Sequence, residues 1–139
     1  LECAVVKLVC EKAAGKELLD DFVLALKANL NLQDFYLENP VPDKLMELDN
    51  EFHHLLFSCV DKERCYRMCC DMGIHFDRIR HLALHTVKEL KIVGDHHDIL
   101  SAICACDADR AYALMAAHLT RFEIDEKLIK NKYPEYFVN

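Results

Sequence analysis

Apolar residues recur at helical spacing along nearly the whole chain, in runs separated by short polar breaks. The first, from Leu1 to about Ala13, has apolar side chains at 1, 4, 5, 8 and 9, and Gly15 is a natural break after it. A second run spans roughly Lys16 to Leu32. Asn39-Pro40-Val41-Pro42 then interrupts the pattern, and Asp43 can cap a third helix, with Glu47 in its first turn, that runs to about Cys59. Asp61 is placed as the N-cap of a fourth, its carboxylate accepting the free N–H groups of the Lys62–Arg64 turn, with periodicity continuing to near His85. A fifth covers roughly Val87 to Cys104, weakened in its middle by Gly94. Asp107 can cap a sixth from Ala108 to about Lys130, where a lysine-rich last turn suits the helix dipole and Pro134 prevents continuation. Strand alternation of useful length, internal repeats and low-complexity tracts are all absent. The pattern predicts an all-α protein, an antiparallel bundle of about six to seven helices.

The apolar stripes of three of these helices are broken by side chains that can bind metal. On the third, Leu45, Leu48/Asp49, Phe52/His53 and Leu56 follow the i, i+3, i+4 rule, so Asp49 and His53 converge on one side, a turn apart. On the fifth, His96 lies on the stripe of Ile92, Ile99/Leu100 and Ile103; on the sixth, His118 lies with Ala111, Leu114/Met115 and Phe122. Burying a carboxylate is costly unless it is paired, and imidazole nitrogens need partners, so three helices aiming such groups inward are expected to bring them together. A divalent cation at their meeting point satisfies all four, and one carboxylate with three imidazoles suits zinc, nickel, manganese or ferrous iron. The other histidines read differently. His54 shares a solvated face with Glu47, Asn50, Glu51 and Ser58, His81 and His85 read as surface or boundary residues, and His75 on a Cys65, Met68, Met72, Ile79 stripe reads as a core residue.

Composition narrows the rest. A chain of 139 residues, 53% hydrophobic, with three Gly and three Pro, fits one compact domain over residues 1–139 with few turns. Its net charge of −7 is the wrong sign for neutralising phosphates, and no Lys/Arg cluster interleaves with aromatics, so these residues are not expected to bind nucleic acid by themselves. No run approaches the roughly 20 consecutive apolar residues of a membrane span, and no basic-then-apolar leader opens the chain, which points to a soluble, cytoplasmic protein without membrane contact. The start at Leu1, without an initiator methionine and already inside a helix, points to a fragment of a longer protein. Eight cysteines lie mostly within helical patterns, where reduced, largely buried thiols are expected. Cys104 and Cys106 point about 200° apart on a helix and Cys69 and Cys70 are adjacent, so neither pair forms a CxxC knuckle.

The opening Leu1-Glu2 before an apolar helix, the stretch Asp49-Asn50-Glu51-Phe52-His53, the stretch Asp95-His96-His97-Asp98-Ile99-Leu100-Ser101-Ala102-Ile103, and Asp107 through His118-Leu119 together resemble a known pattern. It is that of the effector-binding (FCD-type) domain of FadR-subfamily regulators in the GntR superfamily of bacterial transcription factors, and the resemblance covers essentially the whole chain. His96 and His118 stand 22 positions apart, as that family's pattern asks. The resemblance implies that Asp49, His53, His96 and His118 hold a divalent metal whose shell is completed by water or a small organic acid. It implies a carboxylate effector, which Arg80 and less surely Arg78 would bind through a guanidinium, although a solvated pair balancing Asp71 and Asp77 is an equal reading. It also implies a homodimer, and operator DNA bound only through a winged helix-turn-helix domain N-terminal to these residues. Two departures stand out: the Asn usual shortly after the first His motif is replaced within Val60-Asp61-Lys62-Glu63, and Asp95 stands where Glu is commoner. Neither removes a ligand.

Two other function classes compete. His97-Asp98 is the dipeptide of HD-type metal-dependent phosphohydrolases, in which a bound metal activates a water nucleophile, but that reading leaves Asp49 and His53 unexplained. The other is a sensor of the metal itself, with no organic ligand.

Overall fold

The computed structural model describes residues 1–17, 20–72, 91–132 and 134–137, and among them every regular element is helical. In order these are α1 (Glu2–Ala14), α2 (Asp20–Glu38), α3 (Pro42–Cys59), α4 (63–72), α5 (Ile92–Cys104) and α6 (Ala108–Lys132), followed by a 3-10 turn over Pro134–Phe137. The all-α expectation holds there, and no described helix is long and apolar enough to cross a membrane. His75, Arg78, Arg80, His81 and His85 lie outside the described residues.

Helix ends are where the sequence reading needs correction. Lys16, Asp61 and Cys106 have φ of 57°, 56° and 56°, in the left-handed region. Each follows a helix. The N–H of Lys16 donates to Ala13 O and that of Glu17 to Lys12 O; Asp61 and Lys62 do the same to Ser58 and Phe57, and Cys106 and Asp107 to Ile103 and Ala102. This is the Schellman closure three times over, in each case without the glycine that usually occupies the left-handed position. Gly15, read as the break, is instead ordinary right-handed backbone at φ −74°. Asp61 therefore closes α3 rather than capping α4. Asp43 is not a cap either: Val41, extended at φ −130°, precedes α3, Pro42 opens it, and the Asp43 carboxylate sits in the first turn, where the dipole favours it. Asp107 does cap α6, its Oδ1 accepting the Arg110 N–H at 3.1 Å.

The left-handed Lys16 belongs to the turn after α1 rather than to α2, which is described from Asp20 and runs on to Glu38, past Leu32. Its buried face carries Leu26, Asn29, Leu30 and Gln33, so the apolar stripe turns polar while the helix continues. α5 starts at Ile92, with Lys91 before it in a turn; the expected start at Val87 lies outside the described residues.

α1 packs against α3, α5 and α6, α2 against α3 and α5, and α5 against α6. The core they share includes Val6 and Val9 from α1, Leu26 from α2, Phe52 and Leu56 from α3, Ile99 and Ile103 from α5, and Met115 from α6. Each such side chain contributes about 1.5–3 kcal/mol by leaving water. The cysteines are all free thiols, but only Cys10 is fully buried, its thiol pushed up to about 11 by burial, while Cys70, Cys104 and Cys106 are exposed. The expectation of largely buried thiols is corrected to that extent: a helix edge accepts cysteine as readily as its core face.

The Schellman geometry generates a stability prediction. Lys16→Gly relieves the left-handed strain, and Gly15→Ala restricts the unfolded chain at a position whose added Cβ would meet only ordinary van der Waals contacts at 3.6 Å and beyond. Each is expected to raise the unfolding free energy by about 0.5–1 kcal/mol in urea titration.

Candidate metal centre

Three helices meet at a polar point inside this apolar core. α3 supplies Asp49 and His53 one turn apart, α5 supplies His96 and α6 His118, and all four are buried, His96 completely. One potential ligand atom from each lies within 4.8 Å of every other. His118 Nε2 stands 3.2 Å from His53 Nε2 and 3.2 Å from His96 Nε2, while Asp49 Oδ1 stands 3.2 Å from His96 Nε2 and 3.6 Å from His53 Nε2. Two atoms each about 2.1 Å from a common cation lie roughly 3.0 Å apart at a right angle and roughly 3.4 Å apart at the tetrahedral angle. The spacing is that of a coordination shell.

Protons decide whether these contacts are hydrogen bonds. A neutral imidazole carries one N–H, and which nitrogen bears it follows from the partner of the other. His53 Nδ1 is 2.5 Å from Glu2 Oε2, His96 Nδ1 is 2.8 Å from Gln33 Oε1, and His118 Nδ1 is 3.2 Å from Asp95 Oδ2. Each Nδ1 faces an oxygen that accepts, an arrangement that favours the proton on Nδ1 of a neutral ring. The three Nε2 atoms are left as lone pairs, aimed at one another and at a carboxylate oxygen. In that tautomer no proton lies between them, and such an arrangement could hold a cation. Stacking reinforces the ring orientations: Phe52 lies on His96 with centroids 4.1 Å apart, and His53 lies on His118 at 5.2 Å.

Burial holds the His118 imidazole below its ordinary 6.5, against the Asp95 hydrogen bond, which pulls it back up. It is therefore neutral near pH 7, as a ligand must be.

The structure thus brings Asp49, His53, His96 and His118 together. His97 and His54 stay out of the cluster. His97 Nε2 pairs with Asp34 at 2.9 Å on the surface, and His54 is held by Glu63 at 2.8 Å and stacked on Tyr66. Ser58 donates a short hydrogen bond to the same Glu63, so this exposed group ties the end of α3 to α4. The sequence reading overlooked Glu2, Gln33 and the role of Asp95. For Gln33 a signal existed, since it and Asn29 are polar residues one turn apart on the buried stripe of α2. For Glu2, in the first turn of α1, the pattern holds none.

With this geometry in hand, comparison with known proteins adds the following. A family model described as FCD domain matches residues 1–121. The HTH-type transcriptional repressor RspR of Escherichia coli (strain K12) is 25% identical over 138 residues, which is 99% of this chain and 58% of that protein. A protein of Shigella flexneri named uncharacterized HTH-type transcriptional regulator YdfH matches to the same extent. The chain therefore spans 58% of the length of the curated relatives it matches.

A pH dependence follows from His118. Unfolding frees its imidazole to take a proton near 6.5, whereas the folded chain resists that proton to lower pH, so the unfolded state binds more protons in that window and stability falls with pH. Chelator-treated protein is expected to melt at a lower temperature at about pH 5.5 than at about pH 7.5, and His118→Asn to reduce that difference in a thermal melt.

Proposed function

This chain belongs to the FCD domain family, and on that premise we propose that residues 1–139 form one ligand-binding domain, the effector-sensing part of a bacterial GntR/FadR-type transcriptional regulator. Asp49, His53, His96 and His118 hold a divalent metal, zinc in a purified sample and nickel, manganese or iron as alternatives, and a small organic acid is the effector. The observation that carries this reading is the convergence of three buried imidazole Nε2 atoms and a carboxylate oxygen, four of their contacts at 3.2–3.6 Å and all within 4.8 Å.

A cation bound there supplies positive charge and coordination positions to which an effector carboxylate can attach. The chain's own residues do the rest. Asp49 offsets part of the cation's charge, the Nδ1 partners Glu2, Gln33 and Asp95 keep the three rings turned inward, and Phe52 closes one side with an apolar surface. Arg80, and less surely Arg78, are proposed to grip a second carboxylate group.

The relatives are named as HTH-type transcriptional regulators, which supports a DNA-reading part outside these residues. In that arrangement the acidic domain stays off the operator and a winged helix-turn-helix domain N-terminal to it reads the DNA. A cytoplasmic homodimer would transmit the signal by linkage: an effector that binds one arrangement of helices better shifts the dimer toward it and changes the spacing of the DNA-reading heads. Sensing requires no turnover, so the domain is read as a non-enzyme.

The HD-type hydrolase loses support, because His97 is surface-exposed and paired with Asp34 rather than directed at the cluster. A sensor of the metal itself differs from an effector domain in how tightly it keeps its metal.

Elemental analysis of the purified chain is expected to find close to one metal per chain, and the His96→Ala/His118→Ala double variant to lose it. Among small carboxylic acids, one at about 100 times its dissociation constant should raise the melting point by roughly 5–10 °C, and only with metal bound. Metal-free protein with unchanged stability in the double variant would sink the site; metal that exchanges freely, with no acid effect, would favour the metal sensor.

Substitution of His97 separates sensor from hydrolase. His97→Ala is expected to leave metal content unchanged; lost metal would return the HD reading.

A further inference from the structure

Two buried amides extend the order of this site outward. Asn29 and Gln33, one turn apart on α2, are 3% and 1% exposed, and among the described residues the buried side chains are otherwise apolar except at the candidate centre. The Asn29 Nδ2 donates to Leu48 O at 3.0 Å and to Glu51 Oε2 at 2.9 Å. A carbonyl and a carboxylate can only accept, so both amide protons of Asn29 face α3 and its Oδ1 is left facing Gln33. Gln33 Nε2 donates to that oxygen at 2.6 Å. The Oε1 of Gln33 is thereby turned toward His96, 2.8 Å from Nδ1. Reversing either amide would set acceptor against acceptor. The direction of the chain is fixed from its outer end.

We propose that Glu51, Asn29 and Gln33 are positioning residues, a one-way hydrogen-bond relay that sets the tautomer of His96 and so strengthens the hold of the centre on a divalent cation. The proposal rests on the metal reading of that centre. Its consequence is directional: an acceptor at His96 Nδ1 keeps the proton there and leaves Nε2 as the lone pair facing Asp49 and His118. Pinning α2 to α3 and α5 would need partners for these amides, but it would not need this order of donors and acceptors.

The relay separates from simple pinning in two measurements on the 139-residue chain. One is the tautomer of His96 in the chelator-treated wild type, read from two-bond nitrogen–proton correlations in NMR spectra. The other is zinc affinity, by competition with a chromophoric chelator, in wild type, Gln33→Met and Gln33→Glu. The relay expects the Nδ1–H tautomer in wild type. Gln33→Met, which keeps the bulk and removes the acceptor, should give a mixture of tautomers and zinc binding about 10–100-fold weaker at unchanged helicity. Gln33→Glu still turns an oxygen to Nδ1 but sets its second oxygen against Asn29 Oδ1, so it should keep the Nδ1–H tautomer and bind zinc more tightly than Gln33→Met. An Nε2–H tautomer in wild type, or wild-type affinity in Gln33→Met, overturns the relay. If Gln33→Met does not fold, the His96 tautomer in wild type and in Gln33→Glu decides: Nδ1–H in both supports the relay, and Nε2–H in either overturns it. A wild-type chain with the Nδ1–H tautomer but no zinc affinity sinks the metal reading and leaves the relay as the device that orders His96.

Discussion

Three imidazole nitrogens and one carboxylate oxygen, all within 4.8 Å of one another in the middle of an apolar core, are the constraint on which this site depends. With each ring protonated at Nδ1 these groups would repel, since all would be acceptors with no proton between them. An apolar core offers nothing to relieve that repulsion. Yet the helices that carry them are driven together by side chains that gain from the same approach: Phe52 and Leu56 on α3, Ile99 and Ile103 on α5, Met115 on α6. Hydrophobic packing therefore does the work of holding the lone pairs at coordination distance. A cation entering there would meet a shell already assembled, and little of its binding free energy would be spent on ordering the chain.

The buried polar side chains of the described residues sharpen the point. They are Asn29, Gln33, Asp49, His53, His96 and His118, the four potential ligands and the two amides that reach one of them. Nothing polar is buried elsewhere among the described residues for reasons of helix packing. Such economy has a physical cause: each buried amide or imidazole is costly unless satisfied, so a core tolerates them only where they satisfy one another. In this protein a hydrogen-bonded set extends from the surface carboxylate of Glu51 through two amides to His96, and from Asp95 to His118, while the Glu2 carboxylate lies 2.5 Å from His53 Nδ1. Each imidazole is ordered by a group on a different helix or turn.

Much of this could be read in the sequence because it depends on residue type at helical spacing. Asp49 and His53, His96, and His118 interrupt apolar stripes, and a stripe with a polar interruption is visible to periodicity alone. The helix ends were less legible, for a definite reason. Glycine signals a left-handed residue, but Lys16, Asp61 and Cys106 adopt that conformation without being glycine, and Gly15 does not adopt it. The strain at each is offset by the backbone hydrogen bonds of the Schellman closure, which no side chain announces. Asp61 misled further, because an aspartate before a helix has the look of a cap. The end of α2 was lost for the opposite reason: Asn29 and Gln33 replace the apolar residues that mark a buried face, so the pattern faded where the site began. Glu2 depends on tertiary approach alone. It reaches His53 from 51 positions away in sequence, and no local rule connects them.

That last contact bears on how a sensor of this kind would report its state. Glu2 lies in the first turn of α1, and its carboxylate meets the Nδ1 of a potential ligand whose Nε2 faces the centre. The ring of His53 is rigid, so any displacement of Nε2 on occupancy of the centre displaces Nδ1 and the carboxylate bound to it. α1 also packs along α3, α5 and α6, the three helices that carry the ligands. An event at the centre would thus be felt by α1 at its beginning through the close Glu2–His53 contact and along its length through packing. Linkage makes the relation reciprocal: whatever fixes the start of α1 in one position must favour the state of the centre that prefers it, by the same free energy. In the proposed regulator, where the DNA-reading domain lies N-terminal to these residues, the start of α1 is the part of the sensing domain nearest in sequence to the part it controls.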